Sequence, residues 1–134
     1  CDRDLGKHTQ GVGTYVYASP EQLEGTRCSV KTDMFSLGVL MVEVFHIFST
    51  GMERVVTLRN ARNGTLAPEF VAAHPAIALR AAKCLSHDAT LRPTASELVD
   101  ALTRIRLHQH EHVSSVQPIL SPDSSPQHSP PSSP

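Results

Sequence analysis

The chain has 134 residues, 40% of them hydrophobic, and a formal net charge of −1 at pH 7, which suffices for one modest core. This near-neutral balance gives no electrostatic reason to expect nucleic acid or an anionic membrane surface as partner. Three cysteines, Cys1, Cys28 and Cys84, are odd in number and lack the C-x-x-C spacing of a zinc site or redox pair, which points to a reducing, cytoplasmic compartment and no metal site. The longest apolar stretch, residues 37–48, is interrupted by Gly38, Glu43 and His46 and falls short of the ~20 residues that cross a bilayer. A first residue of Cys1, with no charged leader before an apolar segment, reads as a chain truncated or processed from a longer one.

In chain order, residues 1–17 combine glycines and small polar residues without periodicity and read as an extended loop. Pro20 opens a short helical turn that Gly25 ends. From Thr32 to about Phe48 the residues Met34, Phe35, Leu37, Val39, Leu40, Met41, Val42, Val44 and Phe45 are apolar around nearly the whole circumference, which predicts a helix buried on all sides. Asp33 opens it, where a carboxylate accepts unpaired N–H groups and meets the positive helix end. A third helix is predicted from about Thr50 to Arg62, polar enough for the surface, with Thr50 suited to cap it and Asn63-Gly64 to stop it. Pro75 opens a fourth, ending near Ser86, in which Ile77, Ala81, Cys84 and Leu85 form one apolar stripe. Thr94 and Glu97 stand three positions apart, the reciprocal capping arrangement, and Leu98, Ala101, Leu102 and Ile105 supply the buried face of the helix that follows.

No segment shows the alternation of a half-buried strand, so the folded part, residues 1–113, is predicted to be all-α. From Ser114 onward Ser, Pro, Gln, His and Asp dominate, and the apolar surface is too small to offset chain entropy; residues 114–134 are predicted to be a disordered tail. Within it Ser121, Ser125, Ser129 and Ser133 each precede a proline at four-residue intervals. They are candidates for proline-directed phosphorylation, with a passive linker as the alternative.

The informative strings are Gly13-Thr14-Tyr15-Val16-Tyr17-Ala18-Ser19-Pro20-Glu21-Gln22-Leu23, then Asp33-Met34-Phe35-Ser36-Leu37-Gly38, and later Arg92-Pro93-Thr94. In this order and spacing they resemble the end of a protein kinase activation segment, the central helix of the helical lobe, and the arginine-bearing loop before the last helix. The family's A-P-E stands here as Ser19-Pro20-Glu21. The resemblance covers residues 8 to about 107 and implies the helical C-terminal lobe of an α+β kinase fold, which when complete needs roughly twice this chain. His8-Thr9, Val12-Gly13-Thr14, Tyr17 to Gly25, and Met52-Glu53-Arg54 resemble most closely the kinases of the alpha subunit of eukaryotic initiation factor 2, haem-regulated type.

That resemblance implies roles. Glu21 is expected to pair with Arg92 as a planar two-pronged clamp between activation segment and lobe base, and Asp33 to brace the catalytic loop as well as cap its helix. Thr14 corresponds to the threonine of the substrate groove, consistent with Ser or Thr as acceptor. Thr9 stands at the spacing of the activating phosphothreonine, and a phosphate there would add about −1.5 to −2 charges that order the loop; the alternative is a solvated hydroxyl. Thr50 and Glu53 fall where the family's docking helix meets its substrate, remote from the phosphorylated serine; the alternative is an ordinary exposed helix start.

Asp4-Leu5-Gly6 looks like a variant of the magnesium-binding D-F-G but lies closer to Thr14 than activation segments normally allow. His108 and His112 share one face at metal-chelating spacing, with His110 between them, yet no carboxylate or cysteine completes a set, and a solvated helix end is the simpler reading. The Gly-rich loop, strand lysine, H-R-D and a credible D-F-G are absent. The expectation is therefore an inactive fragment; the resemblance implies a Ser/Thr kinase parent that binds ATP and magnesium, with a homodimer through the missing N-terminal lobe as a candidate assembly. The competing expectation is a non-catalytic pseudokinase or scaffold lobe; an unrelated helical adaptor would require three ordered motifs by chance.

Overall fold

The computed structural model describes residues 14–114 and 131–133, with side chains from Tyr15 to Glu111 in the main body. Six α-helices follow one another among the described residues: α1 Pro20–Leu23, α2 Val30–Phe45, α3 Gly51–Arg62, α4 Pro68–Ala73, α5 Pro75–Cys84 and α6 Ala95–Ser114. Single 3-10 turns occupy Thr14–Val16 and Ala89–Leu91. No strand occurs among the described residues, so the fold is helical as the absence of alternation predicts.

Helix α2 is the axis of the core. Its Phe35, Val39 and Val42 are fully buried with Leu58 and Ala61 of α3, Phe70 of α4 and Ala81 and Cys84 of α5. Each large apolar side chain so buried contributes roughly 1.5–3 kcal/mol before chain entropy is charged against it. Gly38 lets α2 and α5 approach closely: a Cβ there would lie 2.8 Å from the Cβ of Cys84 and 3.0 Å from Cγ of Leu85.

Three expectations about α2, its start, its burial and its end, are corrected. It begins at Val30, two residues before Thr32, because Ser29 caps it: the Ser29 hydroxyl accepts from Lys31 N–H, and the Ser29 N–H donates to Thr32 Oγ1 at 3.1 Å. Asp33 therefore lies inside the first turn and is exposed rather than capping. Nor is α2 buried on all sides. Leu37, Leu40 and Val44 form an exposed stripe on the face turned away from α5, continued by Val30 before it and Ile47 after it, which are 78% and 91% exposed. The helix also stops at Phe45, with His46 in extended conformation, short of Phe48.

The remaining elements follow local chemistry. Ser19 and Gln22 cap α1 reciprocally, at 3.3 Å and 2.9 Å, and Gly25 takes a positive φ of 68° just past its end. Thr50 caps α3, accepting from Glu53 N–H at 3.0 Å, and Gly64, at φ 89°, follows its end. Thr94 and Glu97 satisfy each other's backbone N–H at 3.2 Å and 2.7 Å at the start of α6. Helix α4 was not expected from the sequence; it is six residues long and buries only Phe70.

Candidate functional site

The site is a junction where the segment before α1 meets the beginning of α2, the start of α3 and the loop before α6. At its base Arg92 is fully buried. Its Nη1 donates to Glu21 Oε1 at 2.6 Å and its Nη2 to Glu21 Oε2 at 2.9 Å, the bidentate geometry that a guanidinium alone can offer a carboxylate. Its other donors reach the Ser86 carbonyl at 2.8 Å and the Lys31 carbonyl at 2.8 Å. Its guanidinium carbon lies 5.0 Å from the ring centroid of Phe35, a cation over an aromatic face. Thr32 Oγ1 adds a hydrogen bond to Glu21 at 3.1 Å. The Arg92 guanidinium, outweighing burial and helped by Thr32, lowers the Glu21 carboxyl to about 2. Residues 71 positions apart are thus locked by a charge pair withdrawn from water.

Above this clamp the segment Tyr15–Ser19 is held by the helices beneath it. Ser36 of α2 donates to the Tyr17 carbonyl at 2.7 Å, and Arg62 of α3 donates to the Tyr15 carbonyl at 2.5 Å. The Tyr17 hydroxyl donates to Glu43 of α2, and Arg54 of α3 donates to Glu43 Oε1 at 2.7 Å and to the Tyr17 oxygen at 2.8 Å. Burial pushes the Glu43 carboxyl up, but the bonds from Tyr17 and Arg54 outweigh it and hold it below the usual range. Burial and the Glu43 carboxylate push the Tyr17 phenol up. One triad therefore ties the segment to both α2 and α3.

Thr50 and Glu53 stand together at the start of α3. Thr50 is exposed, and Glu53 also accepts from Ser49 N–H at 2.8 Å and lies 3.8 Å from His46 Nε2. Both side chains cap the helix and still present polar atoms to solvent, so capping and docking are compatible. Thr14 opens the turn that leads into this segment. Asp33 is exposed on the same face of α2 as Leu37 and Leu40, apart from the Glu21–Arg92 pair. Thr9, the Asp4-Leu5-Gly6 string, Ser121, Ser125 and Ser129 lie outside the described residues; Ser133 is exposed. His108 lies 3.7 Å from Glu111 on the exposed end of α6.

No group of three or more His, Cys, Asp or Glu able to hold a metal occurs among the described residues. Burial pushes the Cys84 thiol up to about 11, which leaves it unreactive. The sequence reading missed Tyr17, Glu43 and Arg54. A lone glutamate within an apolar helix was the available signal, since a buried charge needs a partner.

A model of the protein kinase domain matches residues 3–102. The chain is 40% identical over 95 residues to eukaryotic translation initiation factor 2-alpha kinase 2 of Plasmodium berghei, covering 71% of this chain and 4% of that protein. It is 41% identical over 95 residues to the rat kinase 1 of the same name, covering 70% and 15%, and 41% identical over 93 residues to the rat kinase 3, covering 69% and 8%. The chain thus spans less than a sixth of the length of these relatives. No helix among the described residues is long and apolar enough to cross a membrane. With the activation-segment end, the Glu21–Arg92 clamp and the central α2 in place, the chain belongs to the protein kinase domain family.

Proposed function

We propose that this chain is the C-terminal helical part of a cytoplasmic Ser/Thr protein kinase that transfers the γ-phosphate of ATP to the alpha subunit of translation initiation factor 2, in a stress-regulated pathway. The observation that carries this reading is the 40–41% identity to initiation factor 2-alpha kinases over 93–95 residues of the chain. The haem-regulated subtype is proposed from the resemblance carried by residues 8–25.

On this reading the chain aligns a protein substrate. The clamp fixes the base of the activation segment, Thr14 lines the groove for the acceptor hydroxyl, and phosphorylated Thr9 orders the loop. Thr50 and Glu53 dock the substrate at a distance from the acceptor, so that binding energy offsets the entropy of positioning. The Arg54–Glu43–Tyr17 triad supports this division of labour because it joins the docking helix to the loop beside the groove. The residues described here do not fit a metal site. ATP, magnesium and the general base belong to the rest of the kinase, as does the surface of a homodimer.

The test separates docking from capping. Glu53→Gln keeps an acceptor for Ser49 N–H, and Thr50→Ser keeps the cap. In the full-length protein the pair of changes should lower kcat/KM for the initiation factor subunit about tenfold or more, with autophosphorylation unchanged. Equal rates on that subunit before and after the change would remove α3 as the docking surface.

A further inference from the structure

Adjoining the junction, and sharing Arg92 and Lys31 with it, a cleft of about 560 Å³ lies between α5, α6 and the loop from Thr90 to Thr94. Lys31, Arg80 and Lys83 line it, and Glu97 is the one acid among its lining residues. Lys31 donates to the Arg92 carbonyl, which leaves two of its three donors unused. Arg92 itself is neutralised by Glu21. Glu97 is held below the usual carboxylate range by the Thr94 backbone and hydroxyl, with Lys31 and Lys83 adding to the effect, so these groups share one field and positive charge is in excess. Arg80 Nε is the only buried side-chain nitrogen or oxygen without a hydrogen-bond partner among the described residues. An unpaired buried donor is costly, and an incoming acceptor relieves it. The lining also includes apolar residues, Leu91, which is 68% exposed, with Pro93, Leu98 and Ala101.

We propose that this cleft is a phosphate-binding site for a phosphorylated Ser-Pro segment of the chain's own C-terminal stretch. Arg80 and Lys83 take the phosphate oxygens as charge-assisted donors, and the proline ring lies on Leu91 and Pro93. The stretch 115–134 carries a single acid, Asp123, and no Lys or Arg. Charge complementarity with the cleft is therefore slight until phosphorylation, when each serine gains about −1.5 to −2 charges. The reach is sufficient. From Ala101 to the end of α6 at Ser114 is about 20 Å of helix, and Ser125 lies far enough beyond Ser114 to span up to about 36 Å when extended. Repetition at Ser121, Ser125, Ser129 and Ser133 offers several ligands at the high effective concentration of a tether.

The test uses a fluorescent peptide of residues 119–129 phosphorylated on Ser125, titrated with the intact, unphosphorylated chain. It should bind about tenfold tighter than its unphosphorylated form. Arg80→Gln with Lys83→Gln should erase that difference without altering the melting temperature. Glu97→Gln, which keeps an acceptor for the cap, should tighten binding, and it decides the matter if the double variant fails to fold. A chain phosphorylated on its own Ser-Pro sites should no longer take up the peptide. Equal binding of the two peptides, or no response to Glu97→Gln, overturns the phosphate site. Undiminished uptake by the phosphorylated chain overturns the tail as its occupant and assigns the cleft to a partner's phosphoserine.

Discussion

Arg92 concentrates more of the junction's energetics than any other residue, because its guanidinium is wholly buried and bound on every side. Arg92→Ala would leave Glu21 without its counter-charge and should cost about 3–5 kcal/mol, read from chemical denaturation. Arg92→Lys should recover little of this, since one ammonium cannot replace the fork. The pH dependence follows from Glu21. Its folded value of about 2 lies below its ordinary 4.5, so the pair's stabilisation is complete above pH 4.5 and fades as pH falls toward 2. Glu21→Gln should flatten the stability profile in that window; an unchanged profile would show that the pair carries no protonation-linked stability. At Tyr17, loss of the hydroxyl in Tyr17→Phe leaves Glu43 and Arg54 paired and should cost about 1 kcal/mol. Glu21 and Arg92 could be matched from motifs alone, because their roles recur with fixed neighbours. The triad could not, since Glu43 and Tyr17 are 26 residues apart and only the packing of α3 on α2 brings Arg54 to both.

Among the elements, α2 and α5 depend on each other through Gly38. Gly38→Ala would press a methyl against Cys84 and Leu85, and overpacking of this kind should destabilise by about 1–3 kcal/mol. A melting temperature equal to the parent's would mean that the two helices separate more readily than their packing implies. The helices with a repeating stripe or a paired cap, α3, α5 and α6, were legible from sequence because each states its own start or face. Helix α4 was not, as six residues with one buried anchor, Phe70, cannot display a period. The start of α2 was misread for a different reason. Ser29 and Thr32 form a capping pair without the glutamate or glutamine that usually marks one, and Asp33 offered a more familiar but wrong cap.

For the molecule as a whole, the exposed stripe Val30, Leu37, Leu40, Val44 and Ile47 explains why α2 looked buried all round: its composition suits a helix covered on both faces, whereas the described residues cover one. On the proposed function, the second cover comes from the rest of a complete kinase. Joining this chain to that remainder should protect the α2 backbone amides and raise the melting temperature. The family was legible because three motifs keep their order over the chain, while the acceptor protein was readable only through likeness to named relatives. The direct measurement is therefore phosphate transfer by the full-length protein, supplied with ATP and magnesium, to the purified alpha subunit of initiation factor 2 and, in parallel, to a generic protein substrate. The account predicts serine phosphorylation of that subunit with kcat/KM at least about tenfold above the generic substrate; labelling of the generic substrate with the subunit left unmodified would contradict it.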